Sequence, residues 1–600
     1  MSAYEKNKQF EGPKAPKDAR RKRPGFYIMR GKEIMGIPQP DGRGIQFLYQ
    51  NDGRMINSAE IVGNITDKKI LALMNTTEGF RKLVYGIGVS VETDGEPDEV
   101  RFVFQMYGRT DPYHSGTVIE KEIRTDGVEE EIVLEDLTWS EDDDEPGQIR
   151  FEFPRSGSIA VASVKLYLRD GFEVPEETEE PAVNFDSPLY SRMLAQSLMQ
   201  TGNPARLQRT LDRARRGEDI TIAFIGGSIT QGAGAVPINT KCYAYRIYEG
   251  LCGYLKAEAG HGIRYRKAGV GGTPSELGMI RYERDVLRMR DDGVVAESLP
   301  DIVVLEFAVN DEGDETKGEC YDSLVRKILA QENAPAVILL FAVFADDWNL
   351  QERLAPVGQA YDLPMVSVKD AVVEQFYKKG EERMVSKNQF FYDRYHPTNV
   401  GHRIMSDCVL HCIKEADGRG RREDTLRLDE IVPPKGKTFE HVRLLDRSVY
   451  EVIKGQQATG SAQNSLQVEI DCGDFTMTDK ELQAVEMDMN LEPTEEFPNN
   501  WMYRGIPGDN NTAAPFVMDI VCTSLLLVFK DSADIHVGCA EVWADGGKVL
   551  LADPHINGWT HCNAVICFRE KELRSHHVEV RMAKGQEDRK FTILGFGYVV

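Results

Sequence analysis

ITIAFIGGSITQG, residues 220–232, decides the fold. Ile220 to Ile225 is a short apolar run closed by two glycines, the pattern of a strand buried on both faces. The glycines allow a sharp turn. Ser228 then stands at the mouth of the next helix, where backbone N–H groups point at any developing negative charge. Working outward, further buried-type strands are expected at Ile302–Ala308, Val337–Phe344 and Met365–Val368. Helical segments lie between them, at Cys242–Ala259 and Tyr321–Gln331, with one stretch upstream at 187–216 and a last helix at Asn399–Lys414. Apolar strands alternating with helices mean a parallel sheet with helices on both faces.

The chain is 600 residues long, and single hydrophobic cores stop growing near roughly 250–300 residues, so several domains are expected. Before the α/β stretch, Val100, Phe102, Phe104 and Met106 alternate with their neighbours, as do Ile149, Phe151 and Phe153, with turn-rich segments between. After it, Leu525–Phe529 is a buried-type run, Asp545-Gly546 is a hairpin signal, and Val578, Val580 and Met582 alternate. The reading is a flexible basic arm at 1–24, a β-sandwich at 25–175 and a charged, proline-bounded linker at 176–188. The α/β domain follows at 189–416 and a second β-sandwich at 417–600.

Hydrophobic residues make up 41% and charged residues 28%, ordinary for a folded chain, which excludes disorder and fibres. With 72 basic and 97 acidic residues the net charge is −25, which disfavours nucleic acid and anionic membranes as partners. The longest apolar run, Ala336 to Ala345, is half the roughly 20 residues a spanning helix needs. The basic N-terminus has no apolar core behind its charges, so no secretory signal is read and a cytoplasmic location is expected. The ten cysteines show no framework spacing and are expected as reduced thiols.

Four segments of the α/β stretch carry chemistry. Gly226-Gly227-Ser228 could be a plain turn or a phosphate loop, but Gly232 is followed by Ala-Gly and not Lys-Ser/Thr. Ala268-Gly-Val-Gly-Gly-Thr273 lacks the third glycine of a dinucleotide fingerprint. Asn310 and Asp311 end the Ile302 strand, where an amide either starts a turn or projects into a cleft. In Asp393-Arg-Tyr-His396-Pro397, Asp and His three apart can meet, the carboxylate holding Nδ1–H and leaving Nε2 free as a base. Cys408, His411 and Cys412, and His561 with Cys562 and Cys567, offer too few ligands for zinc, and no metal or cofactor is expected.

In order and roles these segments resemble blocks I, II, III and V of the SGNH (GDSL-like) hydrolases, over roughly residues 215–415. The resemblance implies a flavodoxin-like catalytic domain. It implies Ser228 as nucleophile, His396 as general base, Asp393 as its orienting partner, and an oxyanion hole from the Ser228 and Gly272 amides and the Asn310 side chain. One departure is Gly227, where the family usually carries Asp.

The resemblance implies ester hydrolysis without naming the ester. Two β-domains flanking a domain of this kind accompany oligosaccharide deacetylation in similar multi-domain esterases, so acetylated mannan- or xylan-type oligosaccharides are the expected substrate. Trp348, Trp501 and Trp559 are the candidate sugar-binding residues. The alternatives are an SGNH acyltransferase, an esterase on a small non-carbohydrate ester, and a non-catalytic carbohydrate-binding protein. Broad β faces allow a homodimer.

Overall fold

The computed structural model describes residues 23–600 apart from 96–97, 178, 257–261, 292, 296, 459–465, 486–493 and 506–512. Almost all of the basic arm expected at 1–24 therefore lies outside the described residues. At its end, Arg23 sits over the Tyr85 ring at 3.5 Å.

The first region builds two antiparallel sheets. One runs Gly25–Met35, Ile159–Leu168, Val84–Glu92, Glu130–Val133; the other Ile37–Pro38, Gly44–Tyr49, Asp143–Phe153, Glu99–Gly108, Val118–Arg124. The inward positions of both, among them Ile87, Val89 and Leu166 from the first and Phe102, Phe104 and Phe151 from the second, meet in one core. That is what their period-two alternation demands.

In the middle region the strands β1 (Ile220–Gly226), β2 (Ile263–Gly269), β3 (Ile302–Glu306), β4 (Ala336–Phe341) and β5 (Met365–Ser367) are parallel, in the order 2-1-3-4-5. Every residue of β1 is buried. Ile220, Ile222 and Phe224 enter the core on one face, while Ala223 and Ile225 enter the core on the other. Of the helices, α1 (Ser275–Asp285) lies on the second face and α2 (Asn399–Gly418) on the first. The helical stretch expected at 187–216 is two helices, Pro188–Gln196 and Ala205–Arg215, with a short strand Leu198–Gln200 between them that adds antiparallel to β5. Gly202 at φ 57° and Pro204, where helix cannot continue, explain the break.

The C-terminal region differs from the expected sandwich. Among the described residues eight of its strands pair into one continuous sheet, with β6 (Phe516–Asp531), β7 (His561–Met582) and β8 (Phe591–Val599) at its centre, and the short strands Ala484–Val485 and Thr494–Glu495 pair apart from it. A bulge at Cys522/Ser524 flips the side-chain parity of β6. Phe516, Met518, Ile520 and Cys522, then Leu525, Leu527 and Phe529, face the region's own core. Leu526 and Val528 turn to the other side and share a core with Ile280 of α1. One bent sheet thus fills its own core and docks on the α/β unit. Asp545 and Gly546, both at positive φ, close the hairpin that their residue types predict.

Candidate active site

The strand order reverses between β1 and β3, and ligands of open α/β sheets bind beyond the carboxyl ends at such a point. Ser228 follows β1 there. It opens the helical turn Ser228–Gln231. The Asn310 side chain, beyond β3, lies flat against Gly227, so close that a Cβ on Gly227 would collide with its amide oxygen. The loop after β2 brings Gly271 and Gly272 to the same mouth.

The fourth segment arrives from a loop ahead of α2. His396 Nε2 lies 2.9 Å from Ser228 Oγ, and His396 Nδ1 lies 2.8 Å from Asp393 Oδ2. The other Asp393 oxygen accepts the Tyr395 and His396 amides at 2.7 and 2.8 Å, which locks the carboxylate in place. Burial opposes its charge, but the His396 imidazole and those amides hold the Asp393 carboxyl below the usual carboxylate range. The arrangement can pass a proton from the Ser228 hydroxyl to Nε2 while Nδ1–H stays on the carboxylate.

Buried polar groups brace the loops from below. Arg281 of α1, fully buried, donates to the Ala268 and Gly226 carbonyls at 2.9 and 3.0 Å, the ends of β2 and β1. Asp311 accepts the Ser275 amide and hydroxyl at 2.8 and 2.9 Å, joining the Asn310 turn to α1; burial, with Asp314 nearby, pushes its carboxyl up to about 8. Glu306, beneath the Ser228 turn, accepts the Thr230 hydroxyl at 3.2 Å and is pushed up to about 7 by burial.

The C-terminal sheet reaches the same mouth. Gln483 donates to the Gly271 carbonyl at 2.8 Å and accepts the Cys562 amide at 2.9 Å. Gly272, at φ 72°, faces this sheet: a Cβ there would lie 2.8 Å from Trp559 and 3.0 Å from His561 Nε2. That nitrogen is buried and has no hydrogen-bond partner among the described residues, while Asn557 sits 3.3 Å from Nδ1. Trp559 keeps 44% of its surface exposed. Trp348, half-buried, stacks on Phe344, whose ring packs edge-on to Tyr395 beside His396. Trp501 is elsewhere, 3% exposed and packed between Phe516 and Phe596 in the C-terminal core. It has no face to offer a sugar.

Among the described residues, two side-chain groups bring three metal-ligand atoms within 4.8 Å of one another: Cys539, Asp553 and His555, and the buried Glu276, Asp314 and Cys320. Asp314 is engaged by its own turn, accepting the Thr316 and Gly318 amides at 2.8 and 2.7 Å. Gln483 and Arg281 stand in no motif and carry no mark in the sequence, and His561 is legible there only as a metal ligand.

Residues 224–404 match the GDSL-like lipase/acylhydrolase family. They are a domain of that family. The chain is accordingly a carboxylic ester hydrolase. A crystal structure of a two-domain esterase active on acetylated mannans is similar to this acylhydrolase over 68% of its chain and 99% of the esterase, at 24% identity and a TM-score of 0.53. The same two-domain esterase co-crystallised with mannopentaose gives 23% identity and a TM-score of 0.52, over 68% and 98%. An acetylxylan esterase from Geobacillus stearothermophilus shares 19% identity over 34% of this chain and 98% of its own, at a TM-score of 0.25. No curated protein matches the sequence. In this acylhydrolase, no helix among the described residues is long and apolar enough to cross a membrane.

Proposed function

We propose that the protein is a serine esterase that removes O-acetyl groups from acetylated mannan- or xylan-type oligosaccharides through an acyl-enzyme. The observation that carries the chemistry is the unbroken hydrogen-bonded line from Ser228 Oγ through His396 to Asp393. The strand order 2-1-3-4-5 supports reading the catalytic sheet as flavodoxin-like. The likeness to an esterase active on acetylated mannans, and the half-exposed Trp559 against Gly272, support carbohydrate as the alcohol.

In this reading His396 takes the Ser228 proton as Oγ attacks the acetyl carbon. The Ser228 and Gly272 amides and the Asn310 amide group receive the tetrahedral oxyanion; one such donor is worth on the order of 10²–10³ in turnover. His396 returns the proton to the leaving sugar oxygen. A water deprotonated by the same imidazole then releases acetate and restores Ser228. Trp559 offers its free face to a sugar ring on the Gly272 side.

The test is acetate release from a small activated acetyl ester and from acetylated manno- and xylo-oligosaccharides, with Ser228→Ala alongside. The variant should lose turnover by a factor on the order of 10⁴–10⁶. Transfer to an added sugar acceptor with little free acetate would turn the reading to an acyltransferase. Cleavage of the activated ester alone would remove the carbohydrate argument. A Ser228→Ala variant as active as wild type would sink the whole reading.

A further inference from the structure

The family's segment does not supply everything that holds its own acid–base loop. Residues 391–398 follow the short helix Lys387–Phe390 and carry Asp393 and His396 to α2. The loop is closed on itself: Phe391 bridges to Pro397, and the Tyr392 amide donates to the His396 carbonyl at 2.7 Å. Its height relative to Ser228 then depends on what grips the closed unit from outside.

Three grips come from the chain before the catalytic sheet. Lys32, on the strand Gly25–Met35, is 3% exposed, and its ammonium donates to the Phe391 carbonyl at 2.6 Å and to the Asn388 carbonyl. From the linker, Glu180 accepts the Asn388 side-chain amide at 2.7 Å, and the Pro181 carbonyl accepts Gln389 at 2.8 Å. Beside these contacts a cavity of about 430 Å³ opens along the seam, lined by Lys32, Glu33, Tyr392, Thr398 and Asn399 among others. On that side the loop is backed by open space and held by these hydrogen bonds, while Phe390 and Phe391 anchor its other side in the core of the α/β unit.

A buried ammonium is costly wherever it is not paired with a carboxylate. Lys32 is such a case: burial drives its pKa down to about 7, against the pull of Glu180 and Asp393. A hydrophobic residue would fill the slot at less cost, but it could not donate to the carbonyls of Asn388, in the short helix, and Phe391, at the head of the loop.

We propose that Lys32 is a positioning residue, through which the N-terminal sheet sets the height of the Asp393–His396 loop against Ser228. This rests on the esterase reading above. Misplacing a reacting group by 1 Å costs about 10²-fold in rate, so a loop released into the cavity loses turnover and not substrate affinity.

The experiment compares wild type, Lys32→Met and Lys32→Arg on a small activated acetyl ester, recording kcat, KM and thermal midpoint. In Lys32→Met, kcat should fall about 10- to 100-fold with KM within about twofold. The midpoint should move by only a few degrees, because relieving a buried charge offsets the loss of two carbonyl partners. Lys32→Arg, which keeps donors and has the cavity to extend into, should recover most of the turnover. A folded Lys32→Met with wild-type kcat overturns the proposal, and so do Met and Arg variants equally impaired. If Lys32→Met does not fold, the rate at which a fluorophosphonate labels Ser228 in Lys32→Gln decides, a wild-type rate again overturning it. Failure of the esterase reading looks different, since wild type itself would then be inert or match Ser228→Ala.

Discussion

Gly227 stands where the SGNH pattern has aspartate, and the Asn310 side chain occupies the space that a side chain at 227 would need. What a Cβ would meet is the end of one side chain and not backbone, so Asn310 can swing aside at little cost to the fold. In doing so it would leave the place proposed above for an oxyanion donor. Gly227→Asp should therefore keep its thermal midpoint and lose turnover on the order of 10²-fold, the worth of one oxyanion donor. A variant with wild-type kcat would show that Asn310 keeps its place beside the new side chain, as the SGNH pairing of Asp with Asn allows. At this scale the sequence was most legible, because Ser228, Gly272, Asn310, Asp393 and His396 stand in short motifs, and the structure brings all five to one mouth. Trp501 was misplaced because a tryptophan in a turn-rich stretch carries no mark of which side it faces. Lys32, between Gly31 and Glu33, reads as a solvated lysine; the carbonyl that buries it lies 356 residues downstream.

Helix α2 carries more than the loop ahead of it. Its His402, fully buried, accepts the amide of Tyr243 on Nδ1 at 3.2 Å and faces the Ala233 carbonyl through Nε2 at 3.1 Å. It thereby pins the start of the helix Tyr243–Leu255 to α2. Only a neutral ring satisfies both partners, and burial, with Arg246, His396 and Lys267 around it, drives its pKa down to about 3. An unfolded histidine takes its proton near pH 6.5, so this junction stabilises fully above that pH. The contribution is lost at about 1.4 kcal/mol per pH unit as the pH falls toward 3. His402→Gln keeps a donor and an acceptor but does not titrate. The stability gap between wild type and this variant, from urea unfolding at several pH values, should narrow with that slope below about pH 6.5. A pH-independent gap would refute the assignment. The central strands were readable in the sequence because a strand buried on both faces is apolar throughout. The bend of β6 was not, since a parity flip inside Cys522–Leu526 looks like any apolar run until its partner β7 is in place.

At the scale of the whole molecule, the loop that carries Gly271 and Gly272 is held by two regions. Gln483 ties the Gly271 carbonyl to the Cys562 amide, and Leu526, Val528, Ala564 and Leu594 share a core with α1. Each large apolar side chain so buried contributes about 1.5–3 kcal/mol. Gln483→Leu keeps the volume and breaks the tie, leaving the half-buried Gly271 carbonyl and the buried Cys562 amide unpartnered, the latter at about 1–3 kcal/mol. Its turnover should fall while the C-terminal sheet stays docked, as read by kcat beside the proteolysis pattern; unchanged kcat would make the tie ornamental. No stretch of sequence announces this contact, because its two sides lie 212 residues apart and neither is part of a motif. There is also a consequence in time. The strand β8, buried throughout, pairs with β6 and contributes Leu594 and Val599 to the core around α1, yet it leaves the ribosome after everything it touches. The serine, the histidine and the carboxylate are all synthesised well before the sheet that steadies Gly271 can close. A nascent chain thus carries Ser228, Asp393 and His396 before it carries the sheet that frames Gly271.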